Sequence, residues 1–390
     1  MADSSLELRR ALARRSGTSE DDWFLTYRAR HGMLVAFCEL ARLRGAGEVV
    51  TQLLTCCTAV DPIVEAGLAP RYADVSASSL ALDASRLGLG PSSRAVVLQH
   101  SFGIFEPAGD LALREAADAA GALLVEDCAH CVGRLARDGE GRPLADVSVH
   151  SFGVEKMLPT HFGGAVYVSP RMADSGLRAA LVGALGSLPP IDPVLEEAAK
   201  GYRSRIRVLN HLPAGPRRAL RARWEARGSF DAAISPEEQR GHVSHEPCQP
   251  GEWIASRALE ALEGLDAQEA LRREAVTEYV RSLADTGVAL PAAVCAGPAQ
   301  PLLRLPVFLA DSGRSEALLA SVRAAGHYAV PWYRPLLFPG VEDPASYGFD
   351  GGMEGLPVTE RLSRGPVALP CDVTPEQARQ LAALAAEAAR

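Results

Sequence analysis

Apolar and polar positions along the chain alternate between a helical and a strand-like period. Residues 6–15 repeat at helical spacing, with Leu8, Leu12 and Ala13 on one side of a short Arg-rich helix whose basic face is most simply solvated. Residues 32–43 (GMLVAFCELARL) read as a buried helix, and GAGEVV then turns into a strand over 48–54. The alternation continues with a helix over 59–66, strands over 71–75 and 94–100, and a helix over 110–120 leading into the β-branched run ALLVED. A further apolar run covers 147–152. Strands and helices alternating at this pace specify βαβ units, and so an α/β protein with a mostly parallel sheet flanked by helices.

Between residues 186 and 251 the pattern breaks down. LPPIDP opens this stretch, and eight arginines crowd in from Arg203 to Arg227. A charge run of this kind reads most simply as a solvated face. The sharper alternative is an anion-recognition or partner surface, because guanidinium groups match phosphates and carboxylates bidentately. Helix signals return at Ser235-Pro-Glu-Glu, and helices follow over 253–265 and through LDAQEALRREAVTEYVRSL. A strand over 302–309, a helix over 315–326 with a glycine stop, and a last helix opened by the capping box Thr374-Pro-Glu-Gln complete the chain. The last helix carries Leu381, Leu384 and Ala388 along one face. With 390 residues, two domains are expected: a large one over 1–248, including the Arg-rich insertion at 186–248, and a smaller α+β domain over 249–390.

Composition narrows the function. The chain is 47% apolar and 23% charged, as in soluble globular proteins, and its net charge of −8 argues against nucleic acid as the main partner. No run is long enough to span a membrane and the first 22 residues lack a signal-peptide core, so a cytoplasmic location is expected. Eight cysteines without regular spacing read as thiols rather than a disulfide framework. Cys128-Ala-His-Cys131 has redox or zinc spacing but no second such pair. His242, His245 and Cys248 stand at spacings that approach a metal site without a fourth ligand. No metal is expected.

The chemistry concentrates between Ala122 and Ser169. One buried run ends on the carboxylate of Asp127, and the next ends at Ser151 and leads to Lys156. If the two strands are parallel, their carboxyl ends share an edge, the place where open α/β sheets bind ligands. Asp127, His130, Ser151 and Lys156 would then face one pocket. That set suits pyridoxal phosphate (PLP): an amine for the aldehyde, a carboxylate for the pyridinium nitrogen, and a hydroxyl for the phosphate. His100, at the end of its strand, reads as structural.

The order E-D-C-A-H, then S-F-x-x-x-K, then G-G-A-V resembles the DegT/StrS-type aminotransferases, PLP enzymes of the aspartate-aminotransferase fold (fold type I), many of which aminate nucleotide-linked keto-sugars. The resemblance implies that Asp127 is the pyridine partner, Ser151 a phosphate ligand, Lys156 the lysine that bonds the cofactor, and His130 a neighbour of the ring hydroxyl. It also implies that the N-terminus of the first large-domain helix receives the phosphate on backbone N–H groups. Where the family has a Gly-Thr pair, this chain has Arg30-His31-Gly32-Met33, which places His31, Gly32 and Met33 at the cofactor with Arg30 or His31 supplying charge. Cys56 stands where an aromatic ring usually stacks on the pyridine. Gln249, Gly251 and Glu252 replace a side chain that reaches the partner subunit's phosphate. The aromatic loop VPWYRPLLFPG and the segment LPVTERLSRGPVALP are similar to the family's small domain. The implied activity is transfer of an amino group from an amino-acid donor to a keto-sugar or related cyclic ketone, in secondary-metabolite or glycan biosynthesis, by a homodimer. Two alternatives stand beside it: a PLP enzyme of elimination or decarboxylation, and a non-catalytic binding module derived from the family.

Overall fold

A computed structural model describes residues 3–390. Helix α1 (Ser4–Ser16) is capped by the Asp3 carboxylate on the N–H groups of Ser5 and Leu6 and ends at Gly17, whose φ of 62° suits glycine. Leu8 and Leu12 are buried, as their spacing requires. The basic face is not wholly solvated: Arg15 donates to the Val132 carbonyl at 2.9 Å and pairs with Asp266 and Glu269.

The chain then runs through β1 (Trp23–Thr26), α2 (Ala29–Arg44), β2 (Glu48–Thr51), α3 (Asp61–Glu65), β3 (Ala69–Tyr72), β4 (Ser93–Gln99), α4 (Pro107–Ala120), β5 (Leu123–Cys128), β6 (Val147–Ser151), β7 (Gly164–Val168) and α5 (Ser175–Gly186). The strands form one seven-stranded sheet in the order β1-β7-β6-β5-β4-β2-β3. Strands β2 to β6 pair in parallel, while β7 is antiparallel to both β6 and β1. This is the α/β architecture expected from the alternation. The central strands β5, β6 and β7 are buried at every position, because helices cover both faces.

The Arg-rich insertion has regular structure that its composition hid. Asp192 caps α6 (Pro193–Asn210), with Pro193 at the first helical position, and α7 (Ala214–Ala226) follows. The helix expected at Ser235 is only a single 3₁₀ turn over Glu237–Gln239. Its capping signal is real: the Ser235 hydroxyl accepts from the Glu238 N–H at 3.2 Å, and Glu238 accepts from the Ser235 N–H at 2.8 Å.

After α8 (Glu252–Glu263) and α9 (Leu265–Leu283) come α10 (Ala292–Cys295), β8 (Arg304–Phe308), α11 (Ser312–Ala324), α12 (Pro357–Ser363), β9 (Pro366–Pro370) and α13 (Pro375–Ala389). Strands β8 and β9 pair antiparallel, and the Tyr279 hydroxyl of α9 donates to the Pro370 carbonyl at 2.9 Å. The Thr374 capping box closes on Gln377. No helix of the described residues is long and apolar enough to cross a membrane.

Two glycine contacts set the depth of α2 against the sheet. A Cβ on Gly32 would lie 2.2 Å from a methyl of Val166 on β7, and one on Gly164 would lie 2.7 Å from the backbone of Ala29. Both glycines permit a backbone approach that no other residue allows. We therefore predict that Gly32→Ala overpacks the α2–β7 contact and costs about 1–3 kcal/mol. The urea midpoint should fall, and Val166→Ala in the same chain should recover part of it. A midpoint unchanged by Gly32→Ala would show that α2 is not seated this closely.

Candidate active site

Strand alternation decides which side chains reach the edge. Asp127 pairs with Gln99 on one side and Val149 on the other, so all three share a face, and Ser151 lies two residues beyond Val149 on that same face. Glu126 faces the other way. There it accepts from the Ser148 hydroxyl at 2.5 Å and meets His100 Nε2 at 2.8 Å, all fully buried. His100 is thus structural, its ring also stacked on Phe105 with centroids 3.7 Å apart. Burial works against its charge, but Glu126 and Asp110 outweigh that and raise His100 to about 9.

At the carboxyl ends of β2, β4, β5 and β6 lies a cavity of about 300 Å³, the low end of the usual range for ligand pockets. Asp127, His130, Ser151 and Lys156 all line it, as do Met33 and Cys56. One Asp127 oxygen accepts from the Ala129 N–H at 2.9 Å, which leaves the other for a ligand. Burial raises the Asp127 carboxyl, and the Lys156 charge opposes that. Burial likewise lowers Lys156, so desolvation favours its neutral amine. No ion pair to Lys156 exists among the described residues, and its Nζ lies 5.9 Å from the centre of the Trp332 ring.

The His130 ring is held from two sides. Its Nδ1 accepts from the Phe102 N–H at 2.8 Å, and its plane stacks on Trp332 with centroids 5.4 Å apart and 8° between planes. Burial keeps it neutral, well below the usual histidine range. Trp332 and Tyr333 therefore form an aromatic wall, supplied by the loop that the sequence marks only as aromatic. Cys56 also lines the cavity. The Thr58 hydroxyl donates to its sulfur at 3.1 Å, and the neighbouring Cys57 thiol, Thr58 and the Lys156 charge pull its thiol below the usual cysteine range.

Two expected residues are elsewhere. His31 does not line the cavity: its Nε2 faces the Ser244 carbonyl at 3.1 Å, and burial lowers it to about 3. Gly32 packs against Val166 instead. The reason is register, since α2 starts at Ala29 with Arg28 at the cap, and the residues of its first turn that line the cavity are Ala29 and Arg30. Arg28 and Arg30 are the charges brought to this end, and each is already held by an acid of the insertion. Arg28 pairs with Asp231, which also accepts from the Tyr27 hydroxyl at 2.5 Å and meets His245 Nε2 at 3.0 Å; Arg30 pairs with Glu238. Burial pushes the Asp231 carboxyl up, but Arg28, His245 and Tyr27 outweigh it and hold it below the usual range. His242, His245 and Cys248, close in sequence, do not converge: His242 meets Glu65, His245 meets Asp231, and Cys248 is packed in an apolar cluster.

The residues present fit the phosphate and ring of PLP. The first N–H groups of a helix have no intrahelical partner, and Ala29 and Arg30 carry two of them at the cavity. The buried Nε of Arg28 and the Thr26 hydroxyl at the same end have no partner. Ser151 would add its hydroxyl and Asp127 would take the ring nitrogen. Gly163, at φ 102°, and Gly164 let β7 pass close beneath this end of α2.

The fold is that of fold type I aminotransferases, with a mostly parallel seven-stranded sheet and a ligand cavity at its carboxyl edge. Residues 29–183 match the model of the DegT/DnrJ/EryC1/StrS aminotransferase family. It is 30% identical over 122 residues to the GDP-perosamine synthase of Vibrio cholerae, covering 30% of this chain and 32% of that protein. It is also 30% identical over 125 residues to the L-glutamine:2-deoxy-scyllo-inosose aminotransferase of Streptomyces kanamyceticus, covering 31% and 29%. The chain thus spans about a third of the length of the curated relatives it matches. The structure of PseC, a Helicobacter pylori aminotransferase involved in pseudoaminic acid biosynthesis, superposes with a TM-score of 0.70 at 16% identity, covering 100% of this chain and 92% of that one, which shows a shared fold.

The His100–Glu126 pair behind Asp127 gives a pH signature. His100 has a folded value of about 9 against an unfolded value of about 6.5. Its contribution is therefore fully present below pH ~6.5 and lost as pH rises through 9. We predict that stability in urea falls by about 1–3 kcal/mol across this window, and that His100→Asn removes the slope. A wild-type profile as flat as the variant's would show that His100 is neutral.

Proposed function

We propose that the chain is a PLP-dependent aminotransferase that moves an amino group from an amino-acid donor to the ketone of a sugar or cyclitol. The observation that carries this reading is that Asp127 and Ser151, from one face of the sheet, and Lys156 line one cavity. The sugar and cyclitol names of the two curated relatives support the substrate class. When bound, PLP supplies an electron sink for the carbon that loses a proton.

The chain's own residues do the rest. Asp127 would hold a proton on the ring nitrogen, which a buried carboxylate does well once a positive partner offsets its desolvation. The N–H groups of Ala29 and Arg30, with the Ser151 hydroxyl, would hold the phosphate. Lys156, kept easily deprotonated by burial, would move the proton at its Nζ. His130, fixed by Phe102 and Trp332, would orient the ring by its edge. The aromatic wall of Trp332 and Tyr333 excludes water from this side. A homodimer is proposed with this reading, from the resemblance to two-subunit sites.

A second reading has its own support. Asp231 and Glu238 neutralise Arg28 and Arg30, and Cys56 covers less of a pyridine face than an aromatic ring would. Both features favour a non-catalytic member that binds a ligand without turnover.

Absorbance spectroscopy separates the two readings. Protein purified with PLP should show the visible band of a lysine-bound cofactor, and glutamate or glutamine should convert it to the aminated form. Borohydride should fix the cofactor to Lys156, and Lys200 is the only other lysine in the chain. A band unchanged by any amino donor would favour the non-catalytic reading, and an adduct at Lys200 would overturn the site. On dialysis, Ser151→Ala should lose PLP about ten to a hundredfold more readily, the worth of one hydrogen bond to a charged group. His31→Ala should retain it, because that ring faces Ser244. The reverse order would restore His31 to the phosphate.

A further inference from the structure

The helical hairpin formed by α6 and α7 is charged against the rest of the molecule. Residues 193–227 hold nine basic and three acidic side chains, a formal charge of +6, while the whole chain carries −8; the remainder therefore carries −14. The three acids are already used, since Glu196 and Glu197 pair with Lys200 and Glu225 pairs with Arg221. Seven arginines of the hairpin have no carboxylate partner among the described residues. Arg207, Arg218 and Arg223 are among the exposed ones.

Helix α7 adds little to the fold. None of its residues is buried, and it meets the apolar cluster beneath through Leu220 and Trp224, with the Arg221 guanidinium over the Phe230 ring at 5.8 Å. A helix polar on nearly every side keeps its shape for reasons other than the core of its own chain. Exposed Val194, 57% accessible, and Val208, 48% accessible, add apolar contact area to the guanidinium surface.

The hairpin also stands at the cavity rim. Tyr202 of α6 packs on His161, a cavity residue, with ring centroids 5.5 Å apart, and crosses Phe162 edge to face at 5.3 Å. The next residue, Arg203, is close enough for its charge to act on His161.

We propose that the α6–α7 hairpin is the docking platform for a compact acidic protein, which it holds beside the cavity mouth. The occupant must be acidic because the guanidinium groups are unpaired and mutually repelling. It must be compact because an extended polyanion, such as duplex DNA or an anionic bilayer, would bring like charge against the −14 remainder. The proposal stands apart from the reaction assigned to the cavity.

The test uses the full chain and four probes: a designed acidic three-helix bundle, the same bundle with a neutral surface, duplex DNA, and phosphatidylserine vesicles. Wild-type protein should bind the acidic bundle, more weakly as salt rises, and should not bind the neutral one. The triple variant Arg207→Glu/Arg218→Glu/Arg223→Glu should weaken binding by about tenfold or more. All three side chains are exposed, so its circular dichroism and oligomeric state should match the wild type. Equal binding by the variant, or tighter hairpin-dependent binding of DNA or vesicles, would overturn the proposal. So would a smaller particle for the variant in sedimentation, which would make a second copy of the chain the occupant.

Discussion

The first turn of α2 is pressed against the carboxyl edge of the sheet, and the site depends on that contact. Gly32 lets the helix sit on Val166, and Gly164 lets β7 pass beneath Ala29. At this depth Ala29 and Arg30, in the first turn of the helix, line the same cavity as Asp127, Ser151 and Lys156. A helix displaced by one side-chain layer would leave its N-terminal donors in the core, where unpaired polar groups cost free energy.

A second set of interactions clamps the same end from outside. Asp231 and Glu238, both from the insertion, meet Arg28 and Arg30 beside the helix start. A buried ion pair is weak evidence of net stabilisation, but removing one partner strands a charge, so the insertion is tied firmly to α2. The consequence for chemistry is that most of the attraction for an anion at this end must come from backbone donors and the Ser151 hydroxyl, with two nearly neutralised guanidinium groups behind them.

Much of this was legible in the sequence, for reasons that differ by residue. Asp127 and Ser151 stand at the ends of β-branched runs, Lys156 follows Ser151 closely, and strand period alone puts Asp127 and Glu126 on opposite faces. The parallel pairing then brings them to one edge. The start of α2 was not legible, because Arg28-Ala29-Arg30 has no capping side chain to mark it and the register slipped toward His31 and Gly32. The helices α6 and α7 were hidden by charge, since α7 has no buried stripe to give a period. Trp332, Tyr333, Asp231 and Glu238 reach the site from more than seventy residues beyond Lys156, and no local pattern announces such contacts. An aromatic pair in a Pro-rich loop and two acids amid arginines were the only signals available.

The most direct measurement is the crystal structure of the protein grown with PLP. The account predicts phosphate density at the first turn of α2, within hydrogen-bond reach of the Ala29 and Arg30 N–H groups and of Ser151, with the ring nitrogen beside Asp127 and continuous density to Lys156. Phosphate bound instead on the arginines of the α6–α7 hairpin, with no density joined to Lys156, would contradict it.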